Sequence, residues 1–250
     1  MTVQSTRNVA RAAVILAAGL GSRLGNGNGS SVKPLVRVHD IPLMARMLRG
    51  LEIAGCTRAV IVLGHAAEIV REAITTSYRG PLELVFTVNE RYRLKNGVSL
   101  LCARPYIGDE FVVTMADHML DDSIFRKVRD HHAPASGATL CVDYKVAQVF
   151  DLDDATKVLE EGGKIREISK SLTNYNCIDT GIFVCTPALL DALEQVLGET
   201  GDASLSEGVS MLAAAGKMTV LDIGDAFWQD VDTPEMLAHA EASFAHHPGG

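Results

Sequence analysis

Through its first half the chain alternates short, nearly continuous apolar runs with segments in which apolar residues return every three or four positions. Runs at 13–18, 59–63, 82–88 and 111–115 predict strands, since unbroken apolar stretches of this length suit strands covered on both faces. Helical spacing predicts helices over 43–54, 66–75 and, more briefly, 98–103, the first closed by Gly55 as a C-cap. Ser123 reads as the N-cap of a helix over 124–131. Strands alternating with helices in this way predict parallel βαβ units.

The second half has a different rhythm. Strands are predicted at 138–144, 156–159, 165–169, 178–185 and 218–223, with helices only at 188–197, 205–215 and 234–244. "EEGGKI" at 160–165 has the glycine pair of a hairpin turn. No internal repeat or linker interrupts the pattern. The expectation is a single α/β domain over 12–244: a mixed, mostly parallel sheet with helices on both faces and a strand-rich second half. Residues 1–11 read as a flexible N-terminus and 245–250 as a disordered tail, in which His246 and His247 are solvated.

Composition narrows the function more than the fold. Hydrophobic residues make up 47% and charged residues 22%, ordinary for a globular chain. The net charge of −8 argues against a general nucleic-acid binder, which would present a basic face. An anionic ligand must therefore be held by a few placed cations and backbone amides. The longest apolar runs are far too short to cross a bilayer, and the N-terminus lacks a secretory apolar core, so a cytoplasmic protein without stable membrane insertion is expected. Five cysteines without a C-x-x-C pair argue against disulfides and structural zinc.

The densest chemistry lies in "AVILAAGLGSRLGNGNGSSVKPLVRV", residues 13–38. A strand followed by glycines places a nucleotide site at the strand's carboxyl end. Gly19 and Gly21 fit the start of a dinucleotide fingerprint, but Leu24 occupies the place of its third glycine. A P-loop fails too, because Pro34 follows Lys33. What remains is G-x-G-x-R-L followed by K-P-L. Here glycines let backbone N–H groups approach phosphate oxygens. Arg23 supplies a fork-shaped donor, and Lys33 a point charge fixed by the rigid Pro34. A surface loop with incidental basic residues is the competing explanation.

Acidic positions complete the set. Asp117 stands just past an apolar strand, where open α/β sheets bind ligands and where a carboxylate suits Mg²⁺. A helix-capping or turn aspartate would look the same. Asp230 and Asp232 are two apart, so an extended backbone aims both to one side, ahead of Thr233 as a cap and Pro234 at the first helical position.

"ILAAGLGSRL…KPLV" resembles the signature of the sugar-1-phosphate nucleotidyltransferases, a Rossmann-like family that transfers a nucleotidyl group from an NTP to a phosphorylated small molecule. The resemblance implies that Leu16, Ala17, Ala18, Gly19, Gly21 and Ser22 cradle the nucleotide. It implies catalytic roles for Arg23 at the β/γ-phosphates and Lys33 at the reacting phosphorus. Asp117 and Asp232 become the Mg²⁺ ligands, with Asp230 the lesser candidate, and Asp117 also borders the nucleotide. In "KNGVSLL", Asn96, Gly97 and Ser99 pack against the base, although an ordinary helix-capping turn explains the same letters. Val32 stands where the family often has proline.

With "DATKV", "GGKIREISKSL", "NCIDTGIFV" and "FWQDVDT", the likeness narrows to the CTP:inositol-1-phosphate cytidylyltransferases and spans most of 12–240. Residues 12–135 then form the nucleotide half and 136–244 the acceptor half. Lys157 and Lys170 are expected at the acceptor phosphate, Asp179 and Thr180 at its hydroxyls. Ala116-Asp117-His118 replaces the common Gly-Asp-His, and His118 reads as structural. The expected partners are CTP and a small phosphorylated acceptor, with no nucleic acid, in a monomer or homodimer. An acceptor phosphate is already mostly a dianion at neutral pH, so the reaction needs no general base. Phosphocholine, a phosphonate or a hexose 1-phosphate remain alternative acceptors, and a non-catalytic nucleotide sensor the alternative of another class.

Overall fold

A computed structural model describes residues 11–19 and 32–244. The chain enters on β1 (Arg11–Ala17), every residue of which is buried. A 3-10 turn at Lys33–Leu35 and a small ladder of β2 (Arg37–Val38) with β3 (Ile41–Pro42) lead into α1 (Leu43–Ile53). Then follow β4 (Cys56–Leu63), α2 (Ala67–Ser77), β5 (Glu83–Val88), α3 (Asn96–Leu101), β6 (Phe111–Met115), β7 (His118–Leu120) and α4 (Asp122–Arg129). The second half runs β8 (Ala138–Asp143), β9 (Lys157–Glu161), β10 (Lys164–Ser169), β11 (Cys177–Cys185), α5 (Ala188–Thr200), α6 (Leu205–Ala214), β12 (Met218–Asp222), β13 (Trp228–Asp230) and α7 (Pro234–Phe244).

Nine of the described strands form one sheet in the order β5-β4-β1-β6-β11-β8-β12-β10-β9. It is parallel from β5 to β6 and again between β12 and β8, and antiparallel elsewhere. β9 also pairs with β11, Cys177 opposite Val158, so the second half curls back on itself into a closed ring of strands. Side-chain alternation splits β1 between two cores: Val14 and Leu16 enter one, Ala13, Ile15 and Ala17 the other. That is why the run at its start is apolar without a break. α1 presents Met44, Met47, Leu48 and Leu51 at helical spacing to the sheet, while Leu43 packs with Val38, Met119 and Val231.

The glycine pair does make the expected hairpin. Gly162 and Gly163 adopt φ of 61° and 80°, as a two-residue turn matching the strand twist requires, and Glu161 pairs with Lys164 across it. One predicted cap is wrong. Asp121, not Ser123, caps α4, its carboxylate accepting from Ser123 N at 2.7 Å, and the helix begins at Asp122. A carboxylate at that place satisfies a free N–H and also opposes the helix dipole favourably. Two short ladders escaped sequence reasoning, β2 with β3 and β7 with β13, because strands of two or three residues carry no readable period. The second of them builds the site.

All five cysteines are free, and only Cys102 is less than buried. Burial pushes the thiols of Cys56, Cys141 and Cys177 up to about 12, so they stay protonated and unreactive. Among the described residues no helix is long and apolar enough to cross a membrane.

Candidate active site

A cavity of about 380 Å³ opens over the carboxyl ends of β1 and β6, the position at which open α/β sheets take ligands. Leu16, Ala18 and Gly19 line it from the end of β1, Asn96 and Ser99 from α3, and Met115, Asp117 and His118 from the end of β6. Asp179, Gly181 and Lys170 come from the second half, and Trp228, Asp230 and Asp232 from β13 and the residues after it.

Two of its acids, Asp117 and Asp232, belong to an ion triad with Lys33. Lys33 Nζ donates to Asp117 Oδ2 at 2.6 Å and also pairs with Asp232 Oδ1. The lysine stands on the 3-10 turn that the buried Pro34 stiffens. The acids reach it because β7 and β13 pair antiparallel, His118 opposite Asp230, and Val231 N donates to Asp117 O at 2.9 Å. Two segments far apart in sequence are thus clamped so that one carboxylate from each meets a single cation.

Electrostatics follow from that crowding. Burial disfavours the Asp117 carboxylate, but the His118 hydrogen bond, the neighbouring imidazole charge and Lys33 outweigh it and hold the group well below the usual carboxylate range. Burial likewise works against charged Lys33, and the two carboxylates reverse the balance, raising it. His118 Nδ1 lies 2.8 Å from Asp117 Oδ1; burial opposes its protonation, while Asp117, Asp230 and Asp179 together raise it. Asp230 is raised chiefly by burial, with Asp232 and Asp117 adding to the effect against the attraction of His118.

These donors suit a divalent cation. Two carboxylate oxygens already converge on one ammonium, and Mg²⁺ is commonly held by one or two carboxylates while substrate phosphates and water supply the rest. Among the described residues there is no cage of three or more metal-ligating side chains.

The other expected site residues divide. Gly21, Ser22 and Arg23 lie outside the described residues. Asn96 faces the cavity with its Oδ1 accepting from Leu205 N at 2.9 Å, and Ser99 Oγ accepts from Asn89 at 2.9 Å. Gly97 is buried against Ala203 and Leu193, and Ala17 packs in the core; neither lines the cavity. Lys170 lines it while paired with Asp154 at 2.7 Å. The structure does not bring Thr180 or Lys157 there. Thr180 points to the opposite side of β11 from Asp179 and Gly181 and donates to Cys141 O at 2.8 Å. Lys157 Nζ turns to Asp153 O at 3.0 Å. His118, expected to be structural, and Trp228, given no role by the sequence, both stand in the wall. A lone tryptophan near two acids was the available signal.

Asp179, on the second-half wall of the cavity, offers a test of these electrostatics. Burial pushes its carboxyl up to about 6 despite the bond it accepts from Gly181 N at 2.7 Å. A raised acid favours the folded state below its ordinary value of 3.8, and that contribution disappears as pH rises through about 6. Asparagine keeps the acceptor for Gly181 N without the charge. Asp179→Asn should therefore gain stability over wild type, on the order of 2 kcal/mol, between about pH 4 and about pH 7.5. Thermal unfolding at the two pH values checks it; a difference independent of pH would refute it.

A lysine and two acids gathered at the strand ends suit an anionic ligand that carries a divalent cation. The chain belongs to the MobA-like NTP transferase domain family, which it matches over residues 13–215. Similar curated proteins include the "Bifunctional IPC transferase and DIPP synthase" of Aquifex aeolicus, 32% identical over 92% of this chain and 50% of that one. The protein of the same description from Rubrobacter xylanophilus is 34% identical over 92% of this chain and 51% of its own length. The chain thus spans about half the length of these relatives. Among solved structures, the inositol-1-phosphate CTP transferase from T. maritima shares the fold, with a TM-score of 0.82 over 96% of this chain and 98% of that one at 24% identity. Family membership bears out the resemblance carried by the glycine–lysine motif.

Proposed function

We propose that this chain transfers a cytidylyl group from CTP to a phosphorylated small alcohol, inositol 1-phosphate, and releases pyrophosphate. The observation that carries it is the convergence of Asp117 and Asp232 on Lys33 beside the cavity. The choice of nucleotide and acceptor follows the name of the T. maritima structure, which gives inositol 1-phosphate and CTP. In the proposed reaction an acceptor phosphate oxygen bonds to the α-phosphorus of CTP, and the bond to the β-phosphate oxygen breaks in line with it. The attacking phosphate is already mostly a dianion near neutral pH, so no side chain has to remove a proton. Positioning two anions and neutralising their repulsion is the whole task.

Asp117 and Asp232 would hold Mg²⁺, which supplies charge neutralisation and orients the phosphates. Lys33 adds a cation at the reacting centre, and Arg23 is assigned to the outer phosphates. Asn96 and Ser99 border the base, while Asp179 and Lys170 border the acceptor. Pyrophosphate release, measured with each of the four NTPs against inositol 1-phosphate, phosphocholine, an aminoalkylphosphonate and glucose 1-phosphate, tests the reading. CTP with inositol 1-phosphate should be fastest by at least about tenfold, since a site built around one acceptor's hydroxyls rejects others strongly. Equal rates across acceptors, or CTP binding with no turnover, would overturn it.

A further inference from the structure

Resting on that reading, we propose that His118 is a positioning residue that aims the cation-binding carboxylate of Asp117, itself held in place by Gly181 and by Trp228 anchored on Asp143. An ionised carboxylate only accepts hydrogen bonds, so His118 Nδ1 is the donor in its 2.8 Å contact with Asp117 Oδ1. That bond commits one oxygen of Asp117 to the protein and leaves Oδ2 for the cation, where Lys33 meets it at 2.6 Å. A free carboxylate would rotate between several such arrangements; this one has a single face to offer.

The imidazole is in turn confined. Gly181 comes so close that a Cβ there would lie 2.5 Å from His118 Cδ2 and Nε2, and its φ of 77° belongs to the left-handed region that glycine alone enters freely. It sits in an irregularity of β11, where Asp179 accepts its N–H at 2.7 Å. The Trp228 ring lies nearly parallel to the imidazole, with centroids 6.3 Å apart and planes inclined by 25°. Trp228 cannot turn freely, because its Nε1–H donates to Asp143 Oδ2 at 2.8 Å. Asp143, itself 4% exposed, is locked by Lys145, whose backbone N and Nζ both donate to Oδ1 at 2.8 Å.

A line of neighbouring groups therefore runs from Lys145 and Asp143, which do not line the cavity, through Trp228 and His118 to Asp117. Outer partners of this kind fix the orientation of metal-binding groups, and their loss costs roughly 10–100-fold in metal affinity. His118 has no part in proton transfer here, since the attacking phosphate needs no base.

The test measures Mn²⁺ bound in the presence of CTP, by electron paramagnetic resonance, for wild type, His118→Leu, His118→Asn and Trp228→Phe. Leucine removes the donor, and Mn²⁺ should bind at least about tenfold more weakly. Asparagine presents an N–H at about the place of Nδ1 and should restore affinity to within about threefold of wild type. Phenylalanine at 228 keeps a ring without its anchor and should weaken Mn²⁺ by about threefold or more; it decides the matter should leucine at 118 prevent folding. Unchanged affinity in both the leucine and phenylalanine variants, equal losses with leucine and asparagine, or a wild type that takes up no Mn²⁺ would overturn the proposal. A protein that shows the expected Mn²⁺ series yet turns over no acceptor would sink only the cytidylyl-transfer reading. One that turns over inositol 1-phosphate with a flat Mn²⁺ series would sink only the role of His118.

Discussion

Lys33→Ala is expected to keep the fold and lower pyrophosphate release from CTP and acceptor by about 10²–10³, the scale for removing one preorganised charge-stabilising donor. The residue is 18% exposed and stands where two acids converge, so a mobile surface lysine cannot substitute for it. Its effect should fall mainly on kcat, because the charge it neutralises grows as the phosphorus gains its fifth oxygen. Stability moves as well. Burial opposes the charged lysine and the two aspartates more than compensate, so the folded state holds that proton more tightly than the unfolded one. A raised lysine contributes stability that is complete below its ordinary value of 10.5 and fades as pH climbs through the higher folded value. Alanine loses that contribution at every pH up to that range and leaves Asp117 and Asp232 facing each other. A divalent cation should then raise the melting temperature of the variant more than that of wild type, since it replaces the missing positive charge. Near-normal turnover, or a variant indifferent to Mg²⁺ in its melting, would remove Lys33 from the reacting centre.

The first half was legible because β1, β4 and β6 are largely buried on both faces. Residues 13–18, 59–63 and 111–115 announce themselves as unbroken apolar runs, and the acid after the last of them falls where such sheets bind ligands. Asp232 was legible only through a family pattern. Nothing local in "QDVDTP" says that it meets Asp117; that depends on the β7–β13 ladder and on Val231 N donating to Asp117 O. Thr180 and Lys157 show the opposite failure. Their letters suit an acceptor, but β11 alternates its side chains and puts Asp179, not Thr180, at the cavity, while Lys157 finds a carbonyl in its own loop. His118 and Trp228 lie within resembling stretches, but those letters assign neither of them a task. Their importance lies in contacts among β7, β11 and β13, which no spacing along the chain encodes.

Asp117→Asn should be more damaging than its near-identical shape suggests. In wild type both oxygens accept, Oδ1 from His118 Nδ1 at 2.8 Å and Oδ2 from Lys33 Nζ at 2.6 Å. Asparagine has one acceptor and one donor, so whichever way the amide is turned, its NH₂ faces another donor. If it faces Lys33, the ammonium loses a partner; if it faces His118, the imidazole must change tautomer or move. Leaving one such buried donor unmatched costs about 1–3 kcal/mol. In metal-free buffer the variant should melt lower than wild type by that amount. The sign with pH follows from the lowered acid: the contribution of Asp117 is complete above its ordinary value of 3.8 and disappears as pH falls through the lower folded value. The stability gap should hold steady across neutral pH and close only in strong acid. Turnover should drop by about 10²–10³, with the Mg²⁺ concentration for half-maximal rate raised as well, because the neutral amide is a poorer ligand for a hard cation. Asp232→Asn, which takes the second carboxylate away from Lys33, should match it in turnover. Equal melting of Asp117→Asn and wild type across neutral pH would show that the triad is not the fixed centre on which the chemistry depends.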